Sequence, residues 1–306
     1  MTQRNRVYDL TVGDYKTGNG IRITGGLPAE DGVVNLGLQV TFDISKTADA
    51  KRTNGNSATI EIYNLSRDHI ELLQGDYLKC TFLVGYEDEG ARVVADGNVV
   101  EVKTVKRGTD FITQVRMGEG YSDLNHENLK SLVAPGSTVE QVIEEIRSQM
   151  PNVARGAYTG TNLNNPVVFG WPLNGTPAAM LRKLCEAQNI EFSVSGGVLN
   201  VSDINGLYTK DTILAPLISM QTGMIDAPFH TTEQGRKMKD AKTRRKGVQF
   251  KTLLNTECIP GKIVKIESDF ITGVYRINSA RFSGDFRGGE WYVECFSSEV
   301  EAQDLV

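Results

Sequence analysis

From Val7 to about Met117 the chain alternates apolar and polar residues over short stretches, as in Ile21-Arg22-Ile23, Leu38-Gln39-Val40-Thr41-Phe42-Asp43-Ile44 and Ala58-Thr59-Ile60-Glu61-Ile62. A period of two puts every second side chain on one face, which predicts strands resting one face on a core. The pattern breaks between Leu65 and Gln74. There Ser66 can cap a short helix, Ile70, Leu72 and Leu73 supply apolar positions, and Gly75 provides a stop. A helix placed between strands in this way can plug the end of a barrel. Strands resume from Leu78 to Tyr86, Val93 to Lys106 and Phe111 to Arg116, joined by the acidic turn Glu87-Asp88-Glu89-Gly90 and the turn Arg107-Gly108. Three strands joined by tight turns predict a meander.

After Gly118 the period changes. In Pro135-Gly136-Ser137-Thr138-Val139-Glu140-Gln141 either hydroxyl residue can cap a helix, with Glu140 or Gln141 closing a capping box. Val139, Val142, Ile143 and Ile146 then recur at i, i+3, i+4 and i+7, the stripe of an amphipathic helix. The stretch from Pro151 to Asn165 has little periodicity and reads as a loop. A second helix begins at Thr176-Pro177, where the missing proline N–H has no partner to lose, and turns Met180, Leu181, Leu184 and Cys185 inward. Ile190, Phe192 and Val194 alternate into the Gly196-Gly197 turn, and Val198 to Val201 return as the second arm of a hairpin.

The two-residue period comes back from about residue 213, in Val248 to Leu254, Gly261 to Glu267, Gly273 to Phe282 and Glu290 to Phe296. Gly273 to Ile277 is weakly similar to Gly97 to Val102, in the first block. The expected architecture is mainly β with an α+β insert: two β-barrel domains, residues 1–118 and 207–306, flanking a small α+β domain at 119–206. At 306 residues the chain exceeds the length at which one core usually suffices, which agrees with several domains.

Composition narrows the function. The first thirty residues lack the apolar stretch of a secretory signal, and no run reaches the eighteen or so apolar residues that cross a bilayer, so the expectation is a protein made soluble in a cytoplasm. Cys80, Cys185, Cys258 and Cys295 are widely spaced with no CxxC pair, which predicts buried thiols rather than a metal site or disulfide framework. The net charge of −5 argues against nucleic-acid or anionic-membrane binding over the whole surface. His69, His126 and His230 are too scattered for a local metal pair, and no GxSxG elbow, dinucleotide fingerprint or phosphate loop is present. The pairs Glu144-Glu145 and Glu87-Asp88 sit on a polar helix side and in a turn, where carboxylates are solvated. No catalytic residue, cofactor or metal is therefore assigned.

One segment reverses the charge of its surroundings. Between Gly235 and Gly247 lie Arg236, Lys237, Lys239, Lys242, Arg244, Arg245 and Lys246 with a single acid, Asp240. It reads either as a solvated hairpin tip or as a contact for an acidic partner or phosphate backbone, without the interleaved aromatics that stack bases.

Several segments in order resemble the baseplate hub proteins of contractile-tailed bacteriophages. They are Asn56 to Ser66 with its closing Asn-Leu-Ser, Phe82-Leu83-Val84-Gly85-Tyr86, Ala95 to Val100, and Leu173 through Val201. The carboxyl-terminal part matches best, in Thr222 to Pro228, Gly247 to Asn255, Ile259-Pro260-Gly261, Gly273 to Ile277, Gly284-Asp285 and Glu290-Trp291-Tyr292. Two departures are Gly118-Glu119-Gly120, where the family often carries Asp-Gly, and the length of the basic run.

The resemblance implies a non-enzymatic adaptor in the virion tail baseplate, a homotrimer whose six barrels meet a six-fold tail tube protein while the other side keeps the three-fold of a central spike protein. Baseplate wedge proteins are further expected partners, and DNA in the lumen a possible contact for the basic run. Competing readings are another ring component of a contractile tail or injection machine, a cell-wall glycan hydrolase, and a carbohydrate-binding β-protein. The last would need an aromatic platform, for which Trp171 and Trp291 alone give little basis.

Overall fold

The computed structural model describes residues 4–27, 35–48, 56–212, 214–232 and 246–300. The first block forms β1 (Arg6–Asp14), β2 (Asn19–Gly25), β3 (Val40–Thr47), β4 (Ser57–Tyr63), α1 (Arg67–Leu72), β5 (Lys79–Tyr86), β6 (Gly90–Arg107) and β7 (Asp110–Gly118). The two-residue period is realised side chain by side chain: in β3, Val40, Phe42, Ile44 and Lys46 turn inward while Thr41, Asp43 and Ser45 turn outward. Ser66 caps α1 by accepting from the His69 N–H, and Leu65 and Leu73 at its ends enter the core.

The insert forms α2 (Tyr121–Asn125), β8 (Leu129–Val133), α3 (Val139–Ser148), β9 (Ala154–Thr159), β10 (Trp171–Gly175), α4 (Pro177–Gln188), β11 (Ile190–Ser195) and β12 (Val198–Asp203). In α3 the capping box closes as the spacing predicts, with the Gln141 N–H donating to Thr138 Oγ1 at 3.2 Å and the Thr138 N–H to Gln141 Oε1 at 2.9 Å. Thr138→Ala removes that cap and should cost about 1 kcal/mol, measured as a shift of the urea midpoint. The stretch read as a loop, 151–165, contains β9, which pairs in parallel with β12. Its exposed and half-buried residues carry no alternation because it is the edge of a three-stranded sheet in the order β11-β12-β9.

The last block forms β13 (Leu217–Ile218), β14 (Phe229–Thr232), β15 (Lys246–Leu253), β16 (Ile263–Glu267), β17 (Thr272–Asp285) and β18 (Trp291–Glu299). These six strands and the seven of the first block make one 13-stranded sheet, and among the described residues its ladders close no ring. The join is β17. Its first part pairs with β16, from Thr272 to Arg276, and its second part with β3, from Ser279 to Asp285, while β18 runs along its other side. The change of partner falls at a bulge between Ile277 and Ser279, the kind of irregularity that bends a strand. The fold is mainly β as expected, with strands in both blocks, and one long strand, β17, serves both.

The sheet folds over a shared apolar core. Phe82 of β5 packs edge-on to Phe42 of β3 at 5.2 Å between ring centres, and Phe42 packs likewise on Trp291 of β18. The insert has its own core, built from Val139, Val142, Ile143, Ile146, Leu181, Leu184, Ile190 and their neighbours. Burial holds two core acids in their protonated forms: Tyr8, whose hydroxyl donates to Leu38 O at 2.8 Å, is pushed up to about 12 from 10.0, and the Cys80 thiol to about 12 from 9.0. Both groups ionise earlier in the unfolded chain. The stability they confer is therefore whole below about pH 9 and drains away as pH rises to about 12. An alkaline titration followed by circular dichroism should show this loss, and Tyr8→Phe should flatten its upper part.

Candidate assembly surfaces

The insert is joined to the sheet through two buried ionic clusters. Lys46 is the fourth inward position of β3, in phase with Val40, Phe42 and Ile44, but it lies at the strand end where the insert arrives. Its ammonium sits 3.0 Å from Glu119 Oε1 and donates to Ser195 Oγ at 2.9 Å. The Asn56 amide donates to Glu119 Oε2 at 3.1 Å and to Val194 O at 2.7 Å, while its oxygen accepts the Thr47 N–H. In the second cluster Arg276 of β17, 1% exposed, forms an ion pair with Glu191 and donates to Gly206 O at 2.7 Å and Asn278 Oδ1 at 2.6 Å. One strand of the insert, β11, thus receives both cations.

Outside the core, the outward residues of β3, β4, β17 and β18 line a polar cleft of about 700 Å³. Its walls carry Asp43, Glu61, Asp285, Glu290 and Glu294 against one cation, Arg281, which is paired with Asp43. Acids and hydroxyls across four strands make a face that attracts cations, with the Thr41 hydroxyl donating to Glu61 Oε2 at 3.3 Å. Exposed apolar residues include Leu132, Val168 and Phe169 on the insert, with Phe169 93% exposed, Leu214, Met220, Phe229 and Phe270 on the last block, and Leu36 and Phe111 on the first. Surfaces of this kind suit burial against another protein.

Of the sequence-derived contact residues, Arg236, Lys237, Lys239, Lys242, Arg244 and Arg245 lie outside the described residues, and Lys246 is described only as the first backbone position of β15. The strands on either side, β14 and β15, are antiparallel, with Thr232 opposite Lys246. His126 packs its ring on Tyr77 at 4.4 Å, apart from the other two histidines. Among the described residues no group of three His, Cys, Asp or Glu side chains could hold a metal ion, all four cysteines are buried and outside any disulfide, and no helix is long and apolar enough to cross a membrane.

No family model and no curated protein sequence matches the chain. Its fold does match solved structures. A tail protein from Neisseria meningitidis MC58 aligns with a TM-score of 0.61 at 12% identity, covering 96% of this chain and 97% of that one. The 43 kDa tail protein of prophage MuSo2 from Shewanella oneidensis aligns at 0.61 and 11% identity over 98% and 99%. The E. coli c3393 protein, a component of the type VI secretion system with structural similarity to the T4 tail proteins gp27 and gp5, aligns at 0.60 and 10% identity over 87% and 74%. The chain has the fold of these phage-tail and secretion-system proteins over nearly its whole length.

Proposed function

We propose that this chain is the structural hub of a contractile phage-tail baseplate: a homotrimeric, non-enzymatic adaptor that seats a six-fold tail tube protein on one side and a three-fold central spike protein on the other. The observation that carries this reading is the division of β17 between β16 and β3, which sets two strand blocks side by side in one chain. In this reading residues 1–118 and 207–306 each curl into a barrel-like unit around the insert at 119–206. Three chains then offer six similar faces, the simplest way to match six-fold to three-fold symmetry. The near end-to-end likeness to two phage tail proteins supports it.

The basic run, Arg236 to Lys246, is proposed as a partner contact, with an acidic neighbour in the ring, a wedge protein or DNA in the lumen. The protein is made in the host cytoplasm and ends in the virion. Light scattering of the chain co-expressed with its spike should give a mass with three copies of the hub, and cryo-electron microscopy of the baseplate should place a ring of three between tube and spike. A ring of six copies at that level would transfer the chain to the runner-up role, another ring component of the tail or a kindred injection machine.

A further inference from the structure

Two units with separate cores usually meet through apolar side chains, yet here two buried ionic clusters join them. The core of the insert shares no residue with that of the sheet. Strand β11 explains how both sides are satisfied. Ile190 and Val194 are buried in the insert core and Phe192 packs against it, while Glu191, Ser193 and Ser195 alternate to the other face, toward the sheet. Lys46, Asn56, Glu119, Glu191 and Arg276 are all buried there, none more than 8% exposed.

The clusters also coincide with the two places where the chain crosses between units. Glu119 immediately precedes Gly120, which has φ +61° and no room for a side chain, since a Cβ would stand 2.9 Å from Val194 Cγ1. Arg276 binds the carbonyl of Gly206, whose neighbour Asn205 also has a left-handed φ of 61°. Thus each crossing carries a backbone position able to redirect the chain and a buried cation that holds it. The aromatic contact of Tyr77 with Tyr121 and His126 lies beside the first crossing, since Tyr121 directly follows Gly120.

We propose that the two clusters are latches, and that the insert is a rigid body that swings about Gly120 and Asn205-Gly206 when they open. The physical ground is asymmetric cost. Parting an apolar seam exposes surface that water does not stabilise, whereas parting this one hydrates Lys46, Glu119, Glu191 and Arg276, and their solvation offsets much of the lost pairing. Each core stays whole during the movement. The inference does not depend on the hub reading, since it follows from the seam alone.

Hydrogen exchange of the full chain tests it. Glu119→Gln leaves the Lys46 ammonium buried and unpaired, a strain that opening relieves. The Ser122 N–H, bonded to Asn98 Oδ1, and the Gly206 N–H, bonded to Asp203 O, should then exchange about tenfold or more faster, while α3 and β4 keep their protection. Adding Lys46→Met should restore slow exchange by removing the unpaired charge. Ser195→Ala, a milder change, should accelerate the same two segments less. Spin labels at Ser148→Cys and Lys103→Cys should report a broadened distance in the Glu119→Gln protein. Protection lost together in α3 and β4, or unchanged at both crossings, overturns the proposal.

Discussion

Phe82→Ala should lower the free energy of unfolding by about 3–5 kcal/mol, seen as a fall in the urea midpoint at unchanged slope. The ring is fully buried, 5.2 Å from Phe42 and 6.5 Å from Tyr8 between centres. Phe42 in turn leans on Trp291, so Phe82 is the point at which strands from both ends of the chain meet across the fold. Truncation removes the transfer free energy of a whole ring and leaves a void that Tyr8 and Phe42, on different strands, cannot fill by a rotamer change. A loss under about 1 kcal/mol would mean that the blocks do not share this core.

Arg276→Met should cost a similar amount, about 3–5 kcal/mol, for a different reason. The guanidinium satisfies Glu191, Gly206 O and Asn278 together, and its removal strands a buried carboxylate. The distinguishing result is the double variant. Adding Glu191→Leu to Arg276→Met should recover a large part of the loss, because the stranded charge goes with its partner. Additive losses would show that the side chains act separately, through packing alone.

The elements that were legible in the sequence are those whose period is their own. Val139, Val142, Ile143 and Ile146 lie fully buried on α3 as their spacing requires, and Ile190, Phe192 and Val194 take the inward face of β11. Pro177 at the first position of α4, behind the Thr176 cap, is similarly local. What escaped is everything that depends on a distant partner. For Glu191, Ser193 and Ser195 a period of two says only that they oppose the apolar residues; the second unit that covers them is invisible in it. Lys46 did leave a trace, because it stands in phase with Val40, Phe42 and Ile44, and a lysine at an inward position needs a buried acid nearby. The partner, Glu119, lay in Gly118-Glu119-Gly120, the departure from the hub pattern. The basic run, by contrast, was evident from composition, but composition does not name what it touches.

The pairing of β3 with β17 also governs how the protein comes off the ribosome. Asp43 and Arg281, adjacent across those strands, are 238 positions apart in the chain. When the first 118 residues have emerged, β3 has β4 on one side and bare N–H and C=O groups on the other, and it stays so until Ser279 to Asp285 have been made. Closure of so long a loop is slow, and a bare edge in the meantime recruits strands from other chains. Nascent copies translated close together on one messenger therefore face a choice between waiting for their own last strands and pairing with a neighbour's.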